Sequence, residues 1–202
     1  MQSSITDFNP AKQFAMKTSV AAILTAALLA VVASFPATAA GGDQSARDLI
    51  VKLKESKISL ADGIRQSEKQ YGLAISAKFE LEDGALNLSV YNAKEGRGKD
   101  AERNVLTEAV GDASKSPWTP KLEVFEDKKH LTRSTMQLTL VQTSKLGLAD
   151  AVKKVANRGT VYSVTPSIIG NAAVYEVLVA TPDGKSTKFA VDARTGNVAG
   201  VR

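Results

Sequence analysis

Leu60-Ala61-Asp62 recurs 88 residues later as Leu148-Ala149-Asp150, and the same order of predicted elements follows each copy. Ile64 then falls on Val152 and Arg65 on Lys153. Carried on without a gap, Val90 falls on Leu178, Glu95 on Asp183 and Gly96 on Gly184. Each copy opens with a helix signal. In the second, Leu148, Ala149, Val152, Val155 and Ala156 recur at helical spacing, after Gly147 and before the stop Asn157-Arg158-Gly159. In the first, Leu60, Ile64 and Tyr71 share a face, Ser59 is the N-cap and Gly72 the stop. Strands follow: Ala74–Leu81 and Ala85–Tyr91 around Glu82-Asp83-Gly84, and Val161–Ile169 and Ala173–Ala180 around Gly170-Asn171. Thr187–Val191 and Asn197–Val201 complete the second meander, with turns at Pro182-Asp183-Gly184 and Asp192–Gly196. The expected fold is therefore α+β: two tandem units, each a helix packed on an antiparallel β-meander.

The first unit is interrupted after Gly96. Matching Leu122, Val124 and Leu131 to Phe189, Val191 and Val198 places an insertion over residues 97–120, with a short helical pattern near Ala101–Val110. Thr132–Thr143 alternates apolar and polar residues and reads as a strand or extended connector between the units. The N-terminal segment has a different character. Lys17 precedes an apolar stretch from Val20 to Phe35, and Pro36 leads into the cleavage motif Ala37-Thr38-Ala39. This is the anatomy of a secretory signal peptide over residues 1–39, with residues 1–15 as extra sequence before the functional start. The expected units are then 40–143 and 144–202, and no membrane span is expected after cleavage. The expected location is periplasmic or secreted. Residues 1–39 hold Asp7, Lys12 and Lys17, a net +1, so the whole-chain +5 becomes +4 after cleavage.

The second unit, from Gly147-Leu148-Ala149-Asp150-Ala151 through Val174-Tyr175-Glu176-Val177 to Val191-Asp192-Ala193-Arg194-Thr195-Gly196-Asn197-Val198, resembles a PepSY domain. The first unit resembles the same module without the terminal Asp-x-x-Thr-Gly pattern, its matching stretch being Phe125-Glu126-Asp127-Lys128-Lys129. The resemblance implies a pair of α+β units in an exported bacterial protein. It also implies protein binding, with inhibition or regulation of a peptidase as the role proposed for the family. It carries no catalytic residues. Asp192, which can accept backbone N–H bonds, and Gly196, which can supply positive φ, are structural turn positions.

The composition removes several chemistries. With no cysteine there is no disulfide framework or thiolate nucleophile, and His130 is the sole histidine. No basic face with stacking aromatics marks nucleic-acid binding. His130 lies near Glu126, Asp127 and Ser134, but no nucleophile elbow accompanies it, and a structural or surface role is expected. Gly184-Lys185-Ser186 ends like a phosphate loop, yet Val179 stands where the leading glycine belongs. Glu80, Glu82 and Asp83, and separately Glu123, Glu126 and Asp127, lack calcium-loop spacing and read as solvated charges. A composite metal site between the units stays open. No catalytic residue, metal ligand or cofactor is assigned. Trp118, the single tryptophan, has two readings: packing of the insertion onto the first sheet, or a partner contact. The expected function is a non-enzymatic binding protein whose partner is an exported peptidase or another envelope protein. The rival is a small-ligand or metal-ion binding protein using a groove between the units.

Overall fold

Ser59 starts a helix for a local reason: its hydroxyl accepts the Asp62 N–H at 3.1 Å, satisfying one of the free donors of the first turn. The computed structural model describes residues 40–201; the expected signal segment over 1–39 lies outside the described residues. The helices are α1 (Ala40–Lys52), α2 (Leu60–Tyr71), α3 (Lys128–Thr143) and α4 (Leu148–Val155). α2 stops at glycine, and so does the 3-10 turn Ala156–Arg158 that extends α4. Gly72 has φ +98 and Gly159 has φ +150. A Cβ on Gly72 would lie 2.6 Å from the Ala93 carbonyl oxygen, and one on Gly159 would overlap that of Ala180. Only glycine combines that conformation with so close a neighbouring strand.

The strands are β1 (Leu73–Glu82), β2 (Ala85–Ala93), β3 (Leu106–Asp112), β4 (Lys121–Val124), β5 (Thr160–Ile169), β6 (Ala172–Ala180), β7 (Ser186–Asp192) and β8 (Val198–Val201). They form one antiparallel sheet in the order β4-β3-β2-β1-β5-β6-β7-β8. The chain is α+β, with helices packed on antiparallel meanders. The two meanders meet at a narrow seam, where only Ala77↔Val164 and Lys78↔Ser163 pair between β1 and β5. A register shift interrupts β1 between Ala74 and Ser76 and β5 between Val161 and Ser163, at matching places.

The register assigns the faces. Ala77, Phe79, Leu88 and Val90 share one face and are buried with Leu60, Ile64, Leu148 and Val152 of α2 and α4. Full burial of such a side chain contributes about 1.5–3 kcal/mol. Ser76, Lys78, Glu80, Ser89 and Tyr91 point to the opposite face. There α3 crosses the seam, and the Ser76 hydroxyl donates to Gln137 Oε1 at 3.0 Å.

Three expectations from the sequence are corrected here. The region 97–120 is not a separate insertion, because it supplies β3 in the middle of the first meander. The helical pattern at Ala101–Val110 holds only a single 3-10 turn, Ala101–Arg103, before β3 begins. Leu106, Thr107 and Ala109 are buried by pairing with β2, and this non-local contact outweighs a short local period. Thr132–Thr143 belongs to a helix. Its buried residues are Ser134, Gln137, Leu138 and Val141, at i, i+3, i+4 and i+7. Two of the four are polar, so the apolar pattern alone marks Met136, Leu138 and Leu140, of which Met136 is exposed.

The repeat is longer than the three-residue match. Ser56-Lys57-Ile58 and Ser144-Lys145-Leu146 precede its two copies, and α1 and α3 precede those. The Lys57 N–H donates to Ala113 O at 2.8 Å, and the Lys145 N–H to Ala193 O at 3.0 Å. Ala113 therefore matches Ala193, and Asp112 matches Asp192. The counterpart of the terminal turn in the first half is Asp112-Ala113-Ser114-Lys115, not Phe125–Lys129.

Candidate functional site

The sheet face crossed by α3 carries the candidate site. Asp127 starts α3: its Oδ1 accepts the His130 N–H at 3.0 Å, and its Oδ2 lies 2.5 Å from His130 Nδ1. These two contacts, the backbone N–H first, hold the Asp127 carboxyl below the usual carboxylate range. The His130 ring stacks on Phe125 at 5.2 Å between centroids, and Phe125 stacks on Tyr91 at 5.6 Å. The chain leaving β4 is thereby tied to β2 as it turns into α3. Burial, followed by the Glu108 and Glu80 carboxylates, raises the Tyr91 phenol well above its ordinary value. Lys78 pairs with Glu80 and lies 5.9 Å from the Tyr91 ring centre.

A groove of about 470 Å³ runs beside α3, where β5 separates from β1 beyond the seam. Its walls include Lys78, Tyr91, Arg133, Gln137 and Leu140, and Thr165–Ile168 of β5. Two large apolar side chains stand at it, Met136 at 64% exposure and Ile168 at 60%. On the other side of Tyr91 a polar hollow of about 340 Å³ is lined by Glu80, Glu82, Glu108, Glu123 and His130. Among the described residues no three histidine or acidic side chains are grouped closely enough to hold a metal ion. On the sheet face covered by α2 and α4 a cleft of about 430 Å³ is lined by Leu53, Ile58, Phe79, Val152, Val161 and Arg65.

Trp118 is not part of an exposed surface. It is 2% exposed, its indole N–H donates to Gly111 O at 3.1 Å, and Gln66 Nε2 donates to its carbonyl at 2.7 Å. The partner-contact reading of Trp118 is corrected to the packing one: the ring is covered because it seals the end of β3 against α2. Asp192 Oδ1 accepts from Arg194 N at 3.0 Å, Thr195 N at 2.7 Å and Thr195 Oγ1 at 2.9 Å. These bonds, that to the Thr195 N–H foremost, lower its carboxyl pKa. Gly196 has φ +74 and donates its N–H to Asp192 O at 2.9 Å. Ser134 is buried in the α3 interface, and among the described residues no serine hydroxyl bonds to the His130 ring.

Neither a known family model nor a curated protein matches the chain. Among solved structures, the crystal structure of a candidate lipoprotein from Clostridium difficile 630 is similar at 15% identity and a TM-score of 0.38. The match covers 71% of this chain and 91% of that one. Likeness at that level carries no argument about function. Among the described residues no helix is long and apolar enough to cross a membrane.

The sequence did not point to the groove. Its residues come from β1, β2, α3 and β5, and the alternation over Thr132–Thr143 points to a strand or extended connector where α3 forms. The local signal for α3 is Asp127, a residue type suited to the N-cap position it takes.

Proposed function

We propose that this protein is a non-enzymatic, exported binding protein of the PepSY-like kind that holds an extended segment of a partner protein in the groove beside α3. The observation that supports this reading is the exposed pair Met136 and Ile168 at a groove between a helix and a diverging strand. Extended segments bind where a strand leaves its neighbour, and exposed apolar side chains beside polar walls provide anchoring positions. The PepSY resemblance suggests an exported peptidase or another envelope protein as the partner, and regulation of it as the outcome. Affinity capture from an envelope extract tests the proposal, comparing wild type with Met136→Asp/Ile168→Asp. The expected result is an exported protein, identified by mass spectrometry, that wild type retains and the folded double variant loses. Equal capture by both would remove the groove from consideration.

The 430 Å³ cleft on the opposite face favours a second reading, a small amphipathic acid bound between the halves. Arg65 lines it and places a cation at its mouth, its guanidinium paired with Asp62 at 3.4 Å and Asp150 at 3.9 Å. Chemical shift changes at Phe79 and Val152 on titration with small amphipathic acids, with Met136 and Ile168 unmoved, would support that reading over the first.

A further inference from the structure

We propose that two copies of this chain associate through the outer edge of β4, making one sheet continuous across both. β4 lies at the end of the strand order, and its four residues are exposed. Leu122 is 46% exposed and Val124 56%. The backbone decides which groups are free. The Phe125 N–H donates to Leu106 O at 3.1 Å, and Glu123 and Lys121 pair in register with Glu108 and Val110. Residues bonded to a neighbouring antiparallel strand alternate with residues whose polar groups point away. Lys121, Glu123 and Phe125 therefore bond inward to β3, while Leu122 and Val124 present N–H and C=O to the outside. Pro120, next in the outward series, offers only its carbonyl.

A second copy must pair outward residues with outward residues, and two symmetric registers do so with both Leu122 and Val124 partnered within residues 120–125. With the two-fold axis at Glu123, that carboxylate faces its own copy and Lys121 faces Phe125. With the axis at Leu122, the two leucines face each other, and Lys121 of each copy lies opposite Glu123 of the other. Directly opposed unlike charges favour a strand pair and like charges disfavour it, so the Leu122-centred register is selected. The edge is thus complementary to its own inverted copy. The axis stands normal to the sheet, so the groove beside α3 stays open in both copies.

Sedimentation of the purified protein, expressed as the full chain and processed by the cell, tests this between about 1 µM and about 1 mM. Wild type is expected to move from monomer to dimer with rising concentration. Lys121→Glu alone and Glu123→Lys alone are each expected to weaken the dimer on the order of tenfold, since each turns both cross-strand attractions into repulsions. Mixing the two variants restores both pairs, so the mixture is expected to form heterodimers more readily than either variant alone. Circular dichroism checks that these exposed substitutions leave the fold intact. A wild type that stays monomeric throughout overturns the proposal. So does a dimer insensitive to both charge reversals, which would place the contact at the β8 edge or elsewhere.

Discussion

Replacing Trp118 with alanine removes the largest side chain sealing the first meander. The ring is 2% exposed, so its removal opens a cavity inside the protein. A Cβ on neighbouring Gly111 would lie 2.9 Å from Pro120 Cα and 3.0 Å from Trp118 Nε1, so the indole sits against bare backbone. Buried aromatic-to-alanine changes cost about 3–5 kcal/mol. The confined setting, and the lost bond to Gly111 O at 3.1 Å, put Trp118→Ala in the upper part of that range. Against a total of about 5–15 kcal/mol for a typical domain, that is a large fraction. Trp118→Phe keeps a ring and loses the N–H, so its cost should be smaller, about 1–3 kcal/mol. Urea unfolding followed by circular dichroism measures both, because the variants lack the sole tryptophan needed for fluorescence. If Trp118→Ala unfolds within about 1 kcal/mol of wild type with the same urea dependence, the ring is not a core element and the packing argument fails.

Two glycines at opposite extremes of crowding give a paired test. Gly159→Ala places a methyl into the Ala180 carbonyl and should cost several kcal/mol or prevent folding, whereas Gly170→Ala, at φ +60 in open space, should cost about 1 kcal/mol; thermal melts of the two variants should differ accordingly. Glu68 gives a pH test. Burial raises its carboxyl pKa above 4.5, against the opposing Ala74 N–H and Arg97, so the folded state holds the proton more tightly than the unfolded chain. That contribution favours folding below the unfolded value and is lost as pH rises through the folded one. Glu68→Gln should therefore gain stability relative to wild type as pH rises through and above the ordinary carboxylate range, and urea midpoints that keep a constant difference from acid to neutral pH would refute it.

Much of the fold is legible where the deciding contact lies within a few residues. Ser59 and Asp62 make their cap within one turn. Asp83-Gly84, with φ values of +50 and +79, supplies the positive backbone angles a tight hairpin needs. Asp192, Thr195 and Gly196 close a turn through bonds spanning four residues at most. These are short-range effects, and the residue types announce them. The seven-residue similarity beginning at Ser56 and Ser144 was also present to be read. Extended upstream, the repeat pairs α1 with α3 and calls for a helix, not a strand or extended connector, over Thr132–Thr143.

The candidate site was much less legible. Four separated segments form its groove, and no spacing along the chain reports that they meet. By itself the sequence determined the caps, the hairpins, the second meander and the α+β class, because each follows from backbone chemistry and alternation within short windows. Tertiary structure decided which face α3 covers, that 106–112 pairs as a strand, and that Trp118 lies inside. It also joined the two meanders through the pairs Ala77↔Val164 and Lys78↔Ser163. Each of those outcomes depends on burial against residues distant in sequence, and such contacts outweigh local preference wherever that preference is weak.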